Sequence, residues 1–227
     1  MKASPIIVAI DGPVLGSCQG LVKIMTDLGD EVVGFKVGIP FIIQCGLESL
    51  AAARSRIRNG LLIADLKLAD IGDIMVRVVS LVKDYVDAVI AHSFVGYKGA
   101  LDKVSEKLKE WNIKLILVAS MSHEGSRELY DRNLDSIMDV VKKANPWGVV
   151  APATRPDIIS LVRNALGADV KILAPGVGTQ GARPGDAICA GADYEIIGRS
   201  ITESPDPKKA VELIALEQEE ALMRCRR

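Results

Sequence analysis

The chain alternates short, β-branched apolar runs with longer stretches in which apolar residues recur at helical spacing. Eight runs read as strands: Pro5–Asp11, Val32–Gly38, Leu61–Leu66, Asp87–Ala91, Ile113–Ala119, Trp147–Ala151, Val170–Ala174 and Tyr194–Ile197. Continuous apolar runs suit parallel strands covered on both faces. Every interval between them is long enough for a crossover helix. Leu21, Val22, Ile24, Met25 and Leu28 form one helical face, and Leu101, Val104, Leu108 and Trp111 another, beside Lys103, Glu106, Lys107 and Lys109. A last helix is predicted from about Pro207 to Met223, where Asp206 before it and a basic tail after it suit the helix dipole. With no Gly/Ser linker or composition shift, the pattern predicts an α/β fold, one (β/α)8 TIM-barrel domain over residues 1–227.

Composition narrows the function classes. Lys plus Arg number 28 against 29 Asp plus Glu, so no basic excess marks a nucleic-acid surface, though a local basic cluster could still hold a small anion. The apolar run Ile6–Ile10 is too short for a signal peptide or membrane span, so a cytoplasmic protein without a membrane partner is expected. Cys18, Cys45, Cys189 and Cys225 show no C-x-x-C spacing, and His92 and His123 stand far apart. Neither a zinc site nor a disulfide framework is expected, and the thiols read as packing residues in a reducing compartment.

The chemistry concentrates after the third strand, in Ile63-Ala64-Asp65-Leu66-Lys67-Leu68-Ala69-Asp70-Ile71. Asp65 and Lys67 are two apart, so their side chains share a face that points inward at the C-terminal mouth of a barrel. Charged groups there are costly to bury unless they pair or do work. Asp70 sits at the turn into the next helix, within reach of an ammonium group. The bland alternative is an ion-pair cluster that closes the barrel top. Near the end of the chain, Pro175-Gly176-Val177-Gly178-Thr179-Gln180-Gly181 offers a glycine-rich loop of backbone N–H groups. Gly198-Arg199 follows the eighth strand and adds a guanidinium suited to phosphate. Loops after strands seven and eight are the frequent phosphate site of such barrels. The polar segment from Ser120 to Glu128 lengthens the loop after the fifth strand and is a candidate lid.

The Asp-x-Lys-x-x-Asp motif resembles the orotidine-monophosphate decarboxylase suprafamily. Val8-Ala9-Ile10-Asp11, Gly34-Phe35-Lys36-Val37-Gly38, Met121-Ser122-His123, the Pro175–Gly181 loop and Ile196-Ile197-Gly198-Arg199-Ser200 extend the resemblance in order over nearly the whole chain. It is most similar to the short, archaeal-type decarboxylases. The resemblance implies decarboxylation of orotidine 5′-monophosphate to UMP in UMP biosynthesis, with no cofactor and no metal. It implies that Lys67, Asp65, Asp70 and Lys36 are catalytic, with Lys67 stabilising and protonating a carbanion at C6 and the carboxylates keeping it charged. It assigns Asp11 and Lys36 to ribose hydroxyls, Ser122 to the pyrimidine edge, Pro175 to the pyrimidine pocket, and Gln180, Gly198 and Arg199 to the 5′-phosphate. For Asp11 alone, capping of the following turn is an equally simple reading. His92 reads as structural, and His123 carries no assigned role.

A homodimer is implied as well, with Asp70 entering the neighbouring subunit's site. Two residues depart from the family pattern: Ile74 stands where a substrate-contacting Thr is usual, and Gly72 where a Pro is common. Sugar-phosphate lyases of the same suprafamily share the motif but use Mg2+, held by an acid on the second strand where this chain has Lys36, a cation that repels Mg2+. A catalytically silent phosphate-binding barrel would not need all four charged residues. A generic barrel isomerase lacks its Glu/His acid–base pair.

Overall fold

The computed structural model describes residues 3–12 and 17–225; Arg226 and Arg227 of the basic tail and Met1-Lys2 at the start lie outside them. Eight parallel strands close into a barrel in sequence order. They are β1 (Ser4–Ile10), β2 (Val32–Gly38), β3 (Leu61–Leu68), β4 (Ala88–His92), β5 (Lys114–Val118), β6 (Gly148–Val150), β7 (Lys171–Pro175) and β8 (Tyr194–Ile197). β1 pairs with both β2 and β8, which completes the ring and leaves no sheet edge. The run Ile6–Ile10 is therefore core strand and buried. Among the described residues no helix is long and apolar enough to cross a membrane.

The helices are α1 (Cys18–Asp27), α2 (Ile39–Arg56), α3 (Gly72–Ser80), α4 (Asp102–Glu110), α5 (Ser126–Leu129), α6 (Leu134–Ala144), α7 (Pro156–Leu166), α8 (Asp186–Cys189), α9 (Arg199–Thr202) and α10 (Pro207–Cys225). The apolar stripes lie where periodicity sets them: Leu21, Val22, Met25 and Leu28 are buried, as are Leu101, Val104 and Leu108. α10 starts as its sequence predicts. Pro207 occupies the first helical position and the Asp206 carboxylate accepts the Lys209 N–H at 3.0 Å. α2 is less regular, because Gly46 (φ +70°, ψ 174°) interrupts it.

The expectation of four free packing thiols is corrected: Cys18 is bonded to Cys45, and Cys189 to Cys225. The pairs are 27 and 36 residues apart in sequence, so no local motif marks them. α1 packs on α2 and α8 on α10, which brings the paired Cα atoms to 5.5 and 5.9 Å, within reach of a bridge. Such bonds also form inside hyperthermophilic archaeal cells, so they assign no compartment by themselves.

Gly72, the departure noted in the sequence, has a packing reason. A Cβ there would come within 2.8 Å of the Ala100 carbonyl oxygen and the Lys103 Cβ. The start of α3 lies tight against the segment leading into α4, and the Lys103–Asp73 ion pair at 2.7 Å spans the same contact.

Candidate active site

A cavity of about 350 Å³ opens at the C-terminal end of the barrel, and every strand helps to line it. Ala9, Lys36, Asp65 with Lys67, Ile90, Val118, Val150, Pro175 and Ile196 are the strand contributions, so each of β1 to β8 takes part. Most of these strand positions are apolar; the charged groups are Asp11 after β1, Lys36 on β2, Asp65 and Lys67 on β3, and Arg199 after β8. This volume lies in the range of small-molecule sites.

β3 extends two residues beyond its predicted end and carries Lys67 within it. Its pairing with β4 shifts between Ala64 and Leu68, and Lys67 takes a left-handed backbone, φ +45°. Asp65 and Lys67 therefore meet across a bulge rather than along a regular strand face. A non-glycine residue held at positive φ costs on the order of 1 kcal/mol, and such strain concentrates at working sites. The Lys67 Nζ lies 2.5 Å from both carboxylate oxygens of Asp65. Lys36 Nζ donates to Asp11 Oδ1 at 2.9 Å and pairs with Asp65 Oδ2 at 3.1 Å. Asp11, Lys36, Asp65 and Lys67 consequently form one array of alternating charge along the cavity wall. Gly38 makes room for it, since a Cβ there would lie 2.4 Å from Asp11 Oδ1.

At the centre of the array, Lys36 and Asp65 hold each other charged. Burial alone would lower the Lys36 pKa, but Asp65 and Asp11 outweigh it and raise it. Burial likewise pushes the Asp65 carboxyl up, and Lys36 and Lys67 reverse this and hold it below its usual range. Asp65 is the hub: its side chain is 7% exposed and touched by two ammonium groups.

The elements read from the sequence as anion-binding follow β7 and β8, next to β1 in the ring. Gln180 and Thr179 from the glycine-rich loop, and Gly198 with Arg199 from the β8 end, line the same cavity. Arg199 donates to the Thr179 hydroxyl at 3.2 Å, which joins the two elements. Ser122 and Met121 reach the cavity from the loop after β5. Of the residues singled out from sequence, Asp11, Lys36, Asp65, Lys67, Ser122, Pro175, Gln180, Gly198 and Arg199 all border this space. Asp70 does not. It is exposed, its carboxylate accepts only its neighbour's Ile71 N–H at 2.7 Å, and among the described residues it makes no ion pair.

Sequence reasoning missed three features. Thr179 is one. The second is Arg155, a buried cation behind the β5 loop that donates to Ser120 Oγ at 3.0 Å, to the Asp131 carboxylate and to the Met121 carbonyl. Met121 N–H donates to Ser126 Oγ at 3.0 Å, so the backbone leading into Ser122 is tied down on both sides. An Arg shortly after the sixth strand was the available signal, since barrel sites use residues past strand ends. The third is the pairing of His92 Nδ1 with the Tyr130 hydroxyl, which buries that tyrosine and closes over the end of β4. Burial and the Lys67 charge depress the His92 pKa to about 4, so this imidazole is neutral near pH 7. Among the described residues no group of three or more His, Cys, Asp or Glu side chains is placed to hold a metal ion.

Residues 4–214 match the family described as orotidine 5′-phosphate decarboxylase / HUMPS. The chain belongs to this family. Within it, the chain is 47% identical over 212 residues to an orotidine 5′-phosphate decarboxylase of Aeropyrum pernix, covering 92% of this chain and 86% of that protein. It is 45% identical over 203 residues to one of Sulfurisphaera tokodaii, covering 89% and 92%. The fold superposes with a TM-score of 0.88 on the crystal structure of orotidine 5′-monophosphate decarboxylase from Sulfolobus solfataricus, at 36% identity and covering 97% of this chain and all of that one (100%). A Methanocaldococcus jannaschii orotidine 5′-monophosphate decarboxylase complexed with the inhibitor BMP gives a TM-score of 0.83 at 28% identity, covering 98% and 99%. The archaeal resemblance and the TIM-barrel fold read from the sequence both hold.

Proposed function

We propose that the whole chain is one barrel domain that decarboxylates orotidine 5′-monophosphate to UMP and CO2, the last step of UMP biosynthesis. The observation that carries this is the Asp11–Lys36–Asp65–Lys67 array sharing one cavity with the loop and strand end that hold Gln180, Gly198 and Arg199. Loss of CO2 leaves an electron pair on C6 in a vinylic orbital that no adjacent carbonyl can delocalise. A preorganised cation beside C6 is the effective remedy. Lys67 supplies that charge and then the proton that C6 takes up, and solvent restores the proton to Lys67.

Asp65 holds Lys67 in place, and Lys36 extends the alternating-charge array through Asp65 to Asp11. Asp11 and Lys36 take the ribose hydroxyls, Ser122 the pyrimidine edge and Pro175 its face. Gln180, Gly198 and Arg199 take the phosphate, whose binding energy orders the site at a distance from the reacting carbon. No step is assigned to a metal or cofactor. Lys36 also disfavours the Mg2+-dependent sugar-phosphate reading, because its ammonium occupies the second-strand position between two carboxylates.

The working unit is proposed to be a homodimer in which Asp70 enters the partner's site. Two facts support this: Asp70 lies outside the cavity of its own chain, and exposed apolar side chains follow it along α3. Ile71 is 61% exposed, and Ile74 and Val78, at helical spacing from it, add to the strip. Ile74 is thus apolar surface where the family usually has a Thr. A nucleotide monophosphate is an intracellular metabolite, which favours the cytoplasm.

The test is consumption of orotidine 5′-monophosphate, followed by ultraviolet absorbance with purified protein in excess EDTA. Turnover to UMP under chelation is expected. Folded protein that leaves the nucleotide unchanged but acts on a sugar phosphate with Mg2+ would overturn the proposal.

A further inference from the structure

Glu195, in the middle of β8, is completely buried, with 0% exposure. Its neighbour Ile196 lines the cavity, so strand alternation turns Glu195 outward, toward α8 and α10. No cation faces it: among the described residues it forms no ion pair, and the charge that acts on it is the like-charged Asp186. A buried acid without a counter-charge is destabilising unless its hydrogen bonds accomplish something. Those bonds are specific. The carboxylate accepts the Gly185 N–H through both oxygens, at 2.9 and 3.0 Å, and the Gln218 Nε2–H at 2.9 Å.

Gly185 is the exit of the loop that starts at Gly176 and carries Thr179 and Gln180. It sits at φ +89°, and a Cβ there would lie 2.4 Å from the Ala221 Cβ of α10. The loop exit is therefore held between β8 and α10. Three residues beyond Glu195, the same strand ends at Gly198 and Arg199, which form the other half of the anion-binding side.

We infer that Glu195 is a positioning residue for the phosphate-binding loop. It fixes the loop exit at Gly185 to the strand that presents Gly198 and Arg199, so that both halves of the phosphate grip share one rigid anchor. This rests on the phosphate reading of the site given above and adds a group that never touches the ligand. Removing the acceptor should loosen Gln180 relative to Arg199 while leaving the Asp65–Lys67 side of the cavity unaltered.

The experiment compares wild type, Glu195→Leu and Glu195→Gln for binding of UMP and of uridine by calorimetry, with KM and kcat for orotidine 5′-monophosphate. Gln keeps a carbonyl acceptor for Gly185, and the Gln218 amide can turn to match it. Glu195→Leu should weaken UMP at least about tenfold, as expected for losing a hydrogen bond to a charged group, and leave uridine unchanged. Its KM should rise by the same factor with kcat little altered, and Glu195→Gln should restore both. Equal losses for UMP and uridine, or none for either, would overturn the inference. Wild type that binds UMP no better than uridine would instead sink the phosphate reading and this inference with it. Should Glu195→Leu fail to fold, hydrogen exchange on the ligand-free wild type decides. The Gly185 amide should be protected like those of β8, and exchange as fast as at exposed Thr179 would refute the anchor.

Discussion

Replacing Lys67 by Ala removes the charge and the proton donor assigned to C6 while disturbing little else. Ala has a Cβ, so the left-handed backbone at φ +45° is neither relieved nor worsened. Asp65 loses the ammonium at 2.5 Å but keeps Lys36 at 3.1 Å, so no buried carboxylate is stranded. The Lys67 side chain is 32% exposed, and losing its ion pair should cost on the order of 1 kcal/mol of stability. The catalytic loss is of another order. Removing one neutral donor from a preorganised site costs about 10²–10³ in turnover. In the proposed mechanism Lys67 supplies a full charge as well as the proton, so a loss of at least ~10³ in kcat is expected, about 4 kcal/mol of barrier at 1.36 per tenfold. UMP affinity should be nearly unchanged, because Gln180, Gly198 and Arg199, the cavity residues assigned to the phosphate, are untouched. The assay is substrate absorbance in EDTA, with UMP titration and a melting curve as controls. Activity within about tenfold of wild type, from a folded variant that still binds UMP, would refute the assignment of Lys67.

Arg199→Ala should weaken UMP by about 1.5–3 kcal/mol, the range for a charge-assisted hydrogen bond, with uridine binding unaffected; unchanged UMP affinity by calorimetry would remove Arg199 from the phosphate site. Each disulfide should add up to about 3.5–4 kcal/mol by chain entropy, from closures of 27 and 36 residues, read as the fall in denaturant midpoint on adding reductant. Four thiols titrating in denatured, unreduced protein would show that the bridges do not form. Burial raises the Glu195 pKa above its ordinary 4.5, so its stabilising contribution is full below that value and is lost as pH rises through the raised folded pKa. The melting temperature of Glu195→Gln relative to wild type should therefore climb from about pH 4 to pH 8, and a difference independent of pH would mean that Glu195 does not titrate in the folded state.

Local chemistry accounts for most of what was legible. Apolar runs and helical stripes set the strands and helices, because burial of one face is dictated by periodicity whatever the partner. The order of motifs carried the family and nine cavity residues, since strand ends in a closed barrel necessarily converge at one mouth. Side chains that act at a distance from their sequence neighbours were not legible. Arg155 reaches Asp131 and Met121 from another loop, and Glu195 reads on paper as a charge spoiling an apolar strand.

The sequence by itself therefore determined the α/β alternation, the acid–lysine pair at the end of the third strand and the glycine-rich loop with its arginine. Each of these depends on residues near one another along the chain. Only the tertiary structure decided the rest. It merged Asp11 and Lys36 with Asp65 and Lys67 into one array, put Lys67 on a strained bulge and left Asp70 outside its own chain's cavity. It also joined cysteines that no spacing rule pairs. Contacts between residues far apart in sequence depend on how eight strand–helix units close on each other, and closure is a property of the whole ring.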